Sequence, residues 1–295
     1  MLDRAQHRKG LLITLIGVLA ICPDTLIVRI IDTDPWTMTF WRGLLIGIGL
    51  MTLYAASEGR GWLKGLAALG RPGILAGLLF AMNAVCFVLA LAYTTVANTL
   101  MILATAPLFG ALLSRAFLGE VVERRTWIAI AAATAGIAVI FSGSMEAGGL
   151  FGDVMAMFTA LGLAGGFTVV RHSRAVNMVP SMALGNFISA VIAIGLAAPF
   201  SLPPPEFGLM LLLGLLLLPV AFGLLTLGPR YITAPEVSLL MLLETAIGPL
   251  IVWLALGETP SNLALIGGGI VLGTLILHAL VGLRRGAGEP DDAII

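Results

Sequence analysis

Glu244 is an ionisable carboxyl inside an apolar run from Ala234 to Leu256. Placing such a group in hydrocarbon costs at least ~2.5 kcal/mol, so its presence needs a chemical reason. Ten residues into the run, at ~1.5 Å per residue, it lies about 15 Å deep, the middle of a bilayer. A carboxyl there could bridge backbone loosened by Pro249, or it could bind a substrate amine or carry a proton. Two further charges interrupt apolar runs. Asp24 follows Pro23, which removes a helix donor and should kink the first run. Asp24 and Arg42 both fall about 10 Å from the same end of their runs. Either charge alone would be expensive and a pair tolerable, so they are predicted to form an ion pair that either bolts two helices together or touches substrate directly.

Other residues could shape a site around these charges. Phe80, Asn83 and Phe87 share a helix face, where an amide between two rings would suit a zwitterion with a large apolar side chain. Asn98, Met101 and Thr105 share another face, and Met241 stands beside Glu244; methionine surfaces adapt to varied ligands. Each of these patterns is equally what helix packing produces. Pro23, Pro107, Pro219 and Pro249 punctuate four runs, each freeing a carbonyl that must find a partner inside the protein. They mark the segments expected to bend.

Several chemistries have no support in the chain. A Walker A glycine-rich loop is missing, so ATP hydrolysis is not expected. His7, His172 and His278 lie far apart without zincin spacing, and Cys22 and Cys86 sit in separate apolar runs. Neither a metal, a cofactor nor a disulfide is predicted. Zero net charge argues against nucleic acid as a partner.

These residues must be positioned by membrane helices. Of 295 residues, 59% are hydrophobic and 11% charged, with mean hydropathy +1.06. A soluble domain carries roughly 25% charged residues to wet its surface; this chain's surface must face lipid. The N-terminus has a basic start and an apolar run, as a signal peptide does. The run continues to Ile31 without a clear cleavage site, which predicts a retained first span. Ten spans fit: 10–31, 35–56, 72–92, 95–117, 126–142, 150–171, 180–199, 207–227, 234–256 and 261–282. Between the second and third, Trp62, Leu63, Leu66 and Leu69 alternate with Arg60 and Lys64, compatible with an interfacial amphipathic helix or a polar loop.

Ten spans put both termini on one side. Of the 16 basic residues, 14 then lie on that side, all but Arg29 and Arg42. By the positive-inside rule this side is cytoplasmic. The chain also repeats itself. Tyr93, Thr95, Leu118, Gly119 and Glu120 recur as Tyr231, Thr233, Leu256, Gly257 and Glu258, all at an offset of 138 residues. Five spans per half is an odd number, so the halves should enter the membrane in opposite orientations. Inverted repeats are a recurring basis of alternating access. The expected architecture is an all-α integral membrane protein of ten transmembrane helices in two inverted five-helix repeats. Residues 1–9 form a cytoplasmic N-terminus, 10–142 and 150–282 the repeats, and 283–295 a cytoplasmic tail. Gly269-xxx-Gly273 and the alanine-rich run Ala129–Ala138 permit close helix contact, within the bundle or in a dimer. Trp36, Trp127 and Trp253 are expected at the membrane interfaces.

Two five-span halves, Leu-Gly-Glu closing the fourth span of each, and Leu243-Glu244 in the ninth resemble the EamA-type transporters of the drug/metabolite transporter superfamily. Length, the position of Arg42 and the proline pattern look closest to the YddG-type amino-acid exporters of bacterial inner membranes. One departure is Thr245, where many relatives follow Leu-Glu with proline; here Pro249 comes four residues later. The resemblance implies a central cavity lined by spans 1, 3, 4, 6, 8 and 9, with spans 5 and 10 peripheral. It further implies export of small amphipathic metabolites, amino acids including aromatic ones, from a bacterial inner membrane. A passive channel shares every compositional feature. An intramembrane enzyme would need paired catalytic groups at one depth, and Asp24 with Arg42 is a poor acid–base pair.

Overall fold

The computed structural model describes residues 4–119, 124–147, 149–172, 177, 179–227 and 234–286. Glu120 and Tyr231-Ile232-Thr233, which belong to the repeat, and most of the tail lie outside them, as do Arg230 and the first three residues. The described residues form helices α1 (Arg4–Ile21), α2 (Asp24–Ile30), α3 (Pro35–Glu58), α4 (Trp62–Ala67), α5 (Gly70–Tyr93), α6 (Val96–Leu103), α7 (Ala106–Leu118) and α8 (Arg124–Ala147). They continue with α9 (Leu150–His172), α10 (Val179–Ile194), α11 (Pro204–Leu211), α12 (Leu218–Leu227), α13 (Ala234–Leu256) and α14 (Asn262–Gly286). Among the described residues, six helical stretches are long and apolar enough to cross a membrane, and four shorter apolar helices accompany them. Each predicted span overlaps one of these ten stretches, of which six have the length to cross. The polar connection of 57–71 holds the short helix α4, with Leu63 exposed.

The local sequence explains where the helices begin, break and end. Asp34 caps α3 by accepting from the backbone N–H of Trp36 and Thr37, with Pro35 at the first helical position. Although burial pushes the Asp34 carboxyl upward, the hydrogen bonds from Thr37 and Trp36 outweigh it and hold the group below its usual range. Three predicted spans are interrupted. Cys22 and Pro23 divide α1 from α2. Ala104 and Thr105 divide α6 from α7, two residues ahead of Pro107. Between α11 and α12 the backbone widens into a π-helical stretch, Leu212–Leu217, and Pro219 follows it against Gly49 of α3. Pro249, by contrast, lies inside a continuous α13. The repeated Leu-Gly-Glu has a plain conformational meaning. Gly119 (φ 68°) and Gly257 (φ 73°) adopt the left-handed geometry that stops a helix, directly after Leu118 and Leu256.

The two halves do not pack as separate bodies. Among the described residues, every span has its most extensive helix neighbour in the other half: α1 on α12, α3 on α10, α5 and α7 on α9, α8 on α14, and α13 on α1 and α6. Glycine makes the closest of these contacts possible. An added Cβ on Gly136 would stand 2.7 Å from the carbonyl of Gly267, and one on Gly267 2.5 Å from that of Gly136. Within the bundle Gly267 carries this contact, while Gly269 and Gly273 on the neighbouring face meet open space, which leaves them the dimer role. Gly267→Ala or Gly136→Ala is therefore expected to destabilise by about 1–3 kcal/mol through overpacking. Gly269→Ala should be neutral or raise stability by up to about 1 kcal/mol through helix propensity. Thermal unfolding in detergent separates the two classes.

Candidate functional site

The first cluster forms where α1 breaks. Pro23 cannot donate to Leu19, so the helix restarts at Asp24, whose carboxylate sits at the electropositive N-terminus of α2. Arg42 of α3 meets it in a two-pronged bridge: Nη2 to Oδ2 at 2.5 Å and Nε to Oδ1 at 3.4 Å. Both side chains are buried, Asp24 at 3% exposure. The guanidinium also lies over the ring of Phe87 on α5, 4.9 Å from its centre. Equal depth in the sequence thus translates into contact.

Glu244 of α13 lies in the neighbourhood of this cluster. It lies near enough to Asp24, Arg42 and Cys22 to interact with them electrostatically. Glu244 and Arg42 fall in one electrostatic neighbourhood because α2 and α13 pack together. Thr25 adds a buried hydroxyl without a hydrogen-bond partner, facing Gly248 one turn beyond Glu244. One arginine therefore serves two carboxyls, and if both ionise one negative charge is left over. A substrate ammonium or a proton would balance it.

Several expected cavity residues serve other ends. Asn83 donates its amide to the carbonyl of Thr159 at 3.1 Å, tying α5 to α9. Phe80 is 3% exposed and stacks edge-on against Phe167. Of that trio only Phe87 reaches the charged cluster. Met101 is packed against Gly268 of α14, and Thr105 donates to the carbonyl of Ile102 at 2.6 Å, satisfying the break in its own helix. Met241 is half-buried on α13, one turn before Thr245. A polar or soft side chain in a span is readily consumed by packing, and sequence alone does not tell the two uses apart.

A second cluster gathers Asn98 with residues not proposed above as site residues. Arg29, at the end of α2, pairs with Glu258 just beyond α13, Nε to Oε2 at 3.1 Å, and donates from Nη2 to the carbonyl of Thr94 at 2.6 Å. Glu258 also accepts from the backbone N–H of Val96 at 2.9 Å, capping α6 beside the capping hydroxyl of Thr95. The Thr94 hydroxyl donates to Asp153 at 2.6 Å, and the Asn98 amide reaches the same carboxylate at 3.2 Å. Asp153, in the first turn of α9, is completely buried. Alongside Arg29 a cleft of about 390 Å³ opens between α2, α3 and α5, bordered by Asp32, Met38, Leu91 and Tyr93. A lone arginine within a span needs a partner, but sequence position does not choose Glu258 over Asp32 or Asp34 at that end.

Apolar helices of this number, three of them interrupted within the bundle, are those of a multi-pass membrane protein. The model of the EamA-like transporter family matches residues 8–142 and again 150–280. The chain belongs to the EamA-like transporter family, with two copies of the family unit, and its members are transporters rather than enzymes. A solved structure described as "Crystal structure of protein" superposes with a TM-score of 0.61 at 18% identity, covering 92% of this chain and 99% of its own, and shows a shared fold. No curated protein matches the chain.

Proposed function

We propose that this transporter is a secondary exporter of small amphipathic metabolites, amino acids including aromatic ones, working by alternating access across a bacterial inner membrane. The observation that carries the reading is the Asp24–Arg42–Glu244 cluster at the break in the first span, a charge set that an amine or a proton completes. Phe87 over Arg42 supplies an aromatic wall. Support for substrate class comes also from the resemblance to YddG-type exporters. The basic residues put both termini and the 57–71 connection on the cytoplasmic side, which makes the Arg29–Glu258 end the outer one.

The pattern of contacts supports a two-fold-related pair of five-helix repeats, and the odd number of spans in each makes the pair inverted. Exchanging the halves maps the packing of span 1 on span 8 onto that of span 6 on span 3, and span 4 on span 6 onto span 9 on span 1. The pairings of span 2 with 7 and span 5 with 10 map onto themselves. Two halves so related can exchange conformations and open a central site to either face. The test is counterflow of labelled amino acids in proteoliposomes, with and without a pH gradient. Saturable exchange is the expected result; flux that never saturates would make the protein a channel.

A further inference from the structure

The Arg29 cluster joins the ends of elements that are far apart in the chain. Arg29 stands on α2, Thr94 and Val96 at the α5–α6 corner, Asp153 on α9 and Glu258 past α13. Four separate segments from both halves are thereby clasped at one end of the bundle. The ion pair is part-exposed, each side chain at 25%, where a bridge of this kind can break and re-form readily. Beneath it the α9 backbone comes so close to the corner that a Cβ on Gly152 would stand 2.5 Å from the N of Thr94, leaving no passage there. On the same face of α2, one turn before Arg29, the Thr25 hydroxyl is sealed at 2% exposure next to the charged cluster.

The geometry points to this clasp as a gate: Arg29–Glu258, steadied by Thr94, Asn98 and Asp153, closes the path from that face to the Asp24–Arg42–Glu244 cluster, and in the described conformation the cleft between α2, α3 and α5 beside Arg29 ends short of the buried Asp24. The inference rests on the alternating-access reading. Opening requires the α2 end and the α13–α14 corner to part, so the bridge between them must break while each segment keeps its local caps.

Thr25→Cys, in a background with Cys22 and Cys86 replaced by alanine, reports on the gate through its reaction with a membrane-impermeant thiol reagent. Glu258→Gln keeps an oxygen for the Val96 N–H and removes only the charge; Arg29→Gln breaks the pair from the other side. In right-side-out vesicles either change is expected to raise the labelling rate by about fivefold, the population shift that loss of one part-exposed bridge produces. The exchange R29E/E258R should bring labelling back down, which a folding defect would not do. Faster labelling seen only in inside-out vesicles would uphold the gate and overturn the orientation reading. Unchanged labelling from both sides in folded Glu258→Gln and Arg29→Gln would overturn the gate. Because labelling needs no substrate, this result is independent of whether amino acids are transported.

Discussion

Replacing Arg42 by glutamine is expected to lower stability by about 3–5 kcal/mol, since it leaves the carboxylate of Asp24 buried and unpaired. The loss should exceed that of Asp24→Asn. Without Arg42, Asp24 and Glu244 share one electrostatic neighbourhood with no cation, whereas without Asp24 the guanidinium still has Glu244 within electrostatic range and the Phe87 ring beneath it. The double variant should be less harmful than Arg42→Gln alone, because no uncompensated charge of the pair survives. The expected order of loss is therefore Arg42→Gln, then Asp24→Asn and the double variant. Unfolding of the four proteins in detergent gives the cycle directly. Additive losses would mean that the two side chains act independently.

The second large effect is functional. Glu244→Gln preserves size and removes the ability to carry charge or release a proton. Glu244 accepts no hydrogen bond among the described residues that would hold the fold, so the variant should unfold close to the parent. Transport should change instead. A charge-assisted contact to a substrate ammonium contributes about 1.5–3 kcal/mol, so its loss predicts roughly ten- to hundredfold weaker use of amine-bearing substrates. If the carboxyl carries a proton, the response to a pH gradient should vanish together with, or in place of, that affinity. Gln at this position with unchanged affinity and unchanged pH response would make Glu244 a structural carboxyl. The counterflow assay with substrates differing only in their amino group separates the two roles.

Much of this arrangement was legible in the chain, and the reasons differ residue by residue. Asp24 and Arg42 could be paired because helix rise converts sequence position into depth, and both positions count from the same end of adjacent runs. The helix stop at Gly119 and Gly257 could be read because one residue type fits the left-handed geometry. Asp153 escaped notice because it stands three residues into its span, where a carboxylate reads as a surface group; only the tertiary fold shows that Thr94 and Asn98 cover it. Arg29 and Glu258 are 229 residues apart, and no periodicity within one helix connects them. Asn83, Met101 and Thr105 were read from shared helix faces, but a face tells nothing of what lies opposite. In this bundle the opposite surface is the α9 backbone, a glycine of α14, or the helix's own carbonyl.

The crossed packing of the halves has a consequence for how the protein is made. Spans 2, 3 and 5 reach the membrane before α10, α9 and α14, with which they make close contacts through glycines, have been synthesised. At the usual pace of translation the ribosome needs roughly 7–30 s to complete the second half. Throughout that interval Arg42 has Asp24 but Arg29 lacks Glu258, and surfaces shaped for backbone-to-backbone contact face lipid or whatever protein shields them. Biogenesis of this chain is therefore a waiting problem: the first five helices must be held near one another, yet unassembled, until partners from the other end of the message arrive.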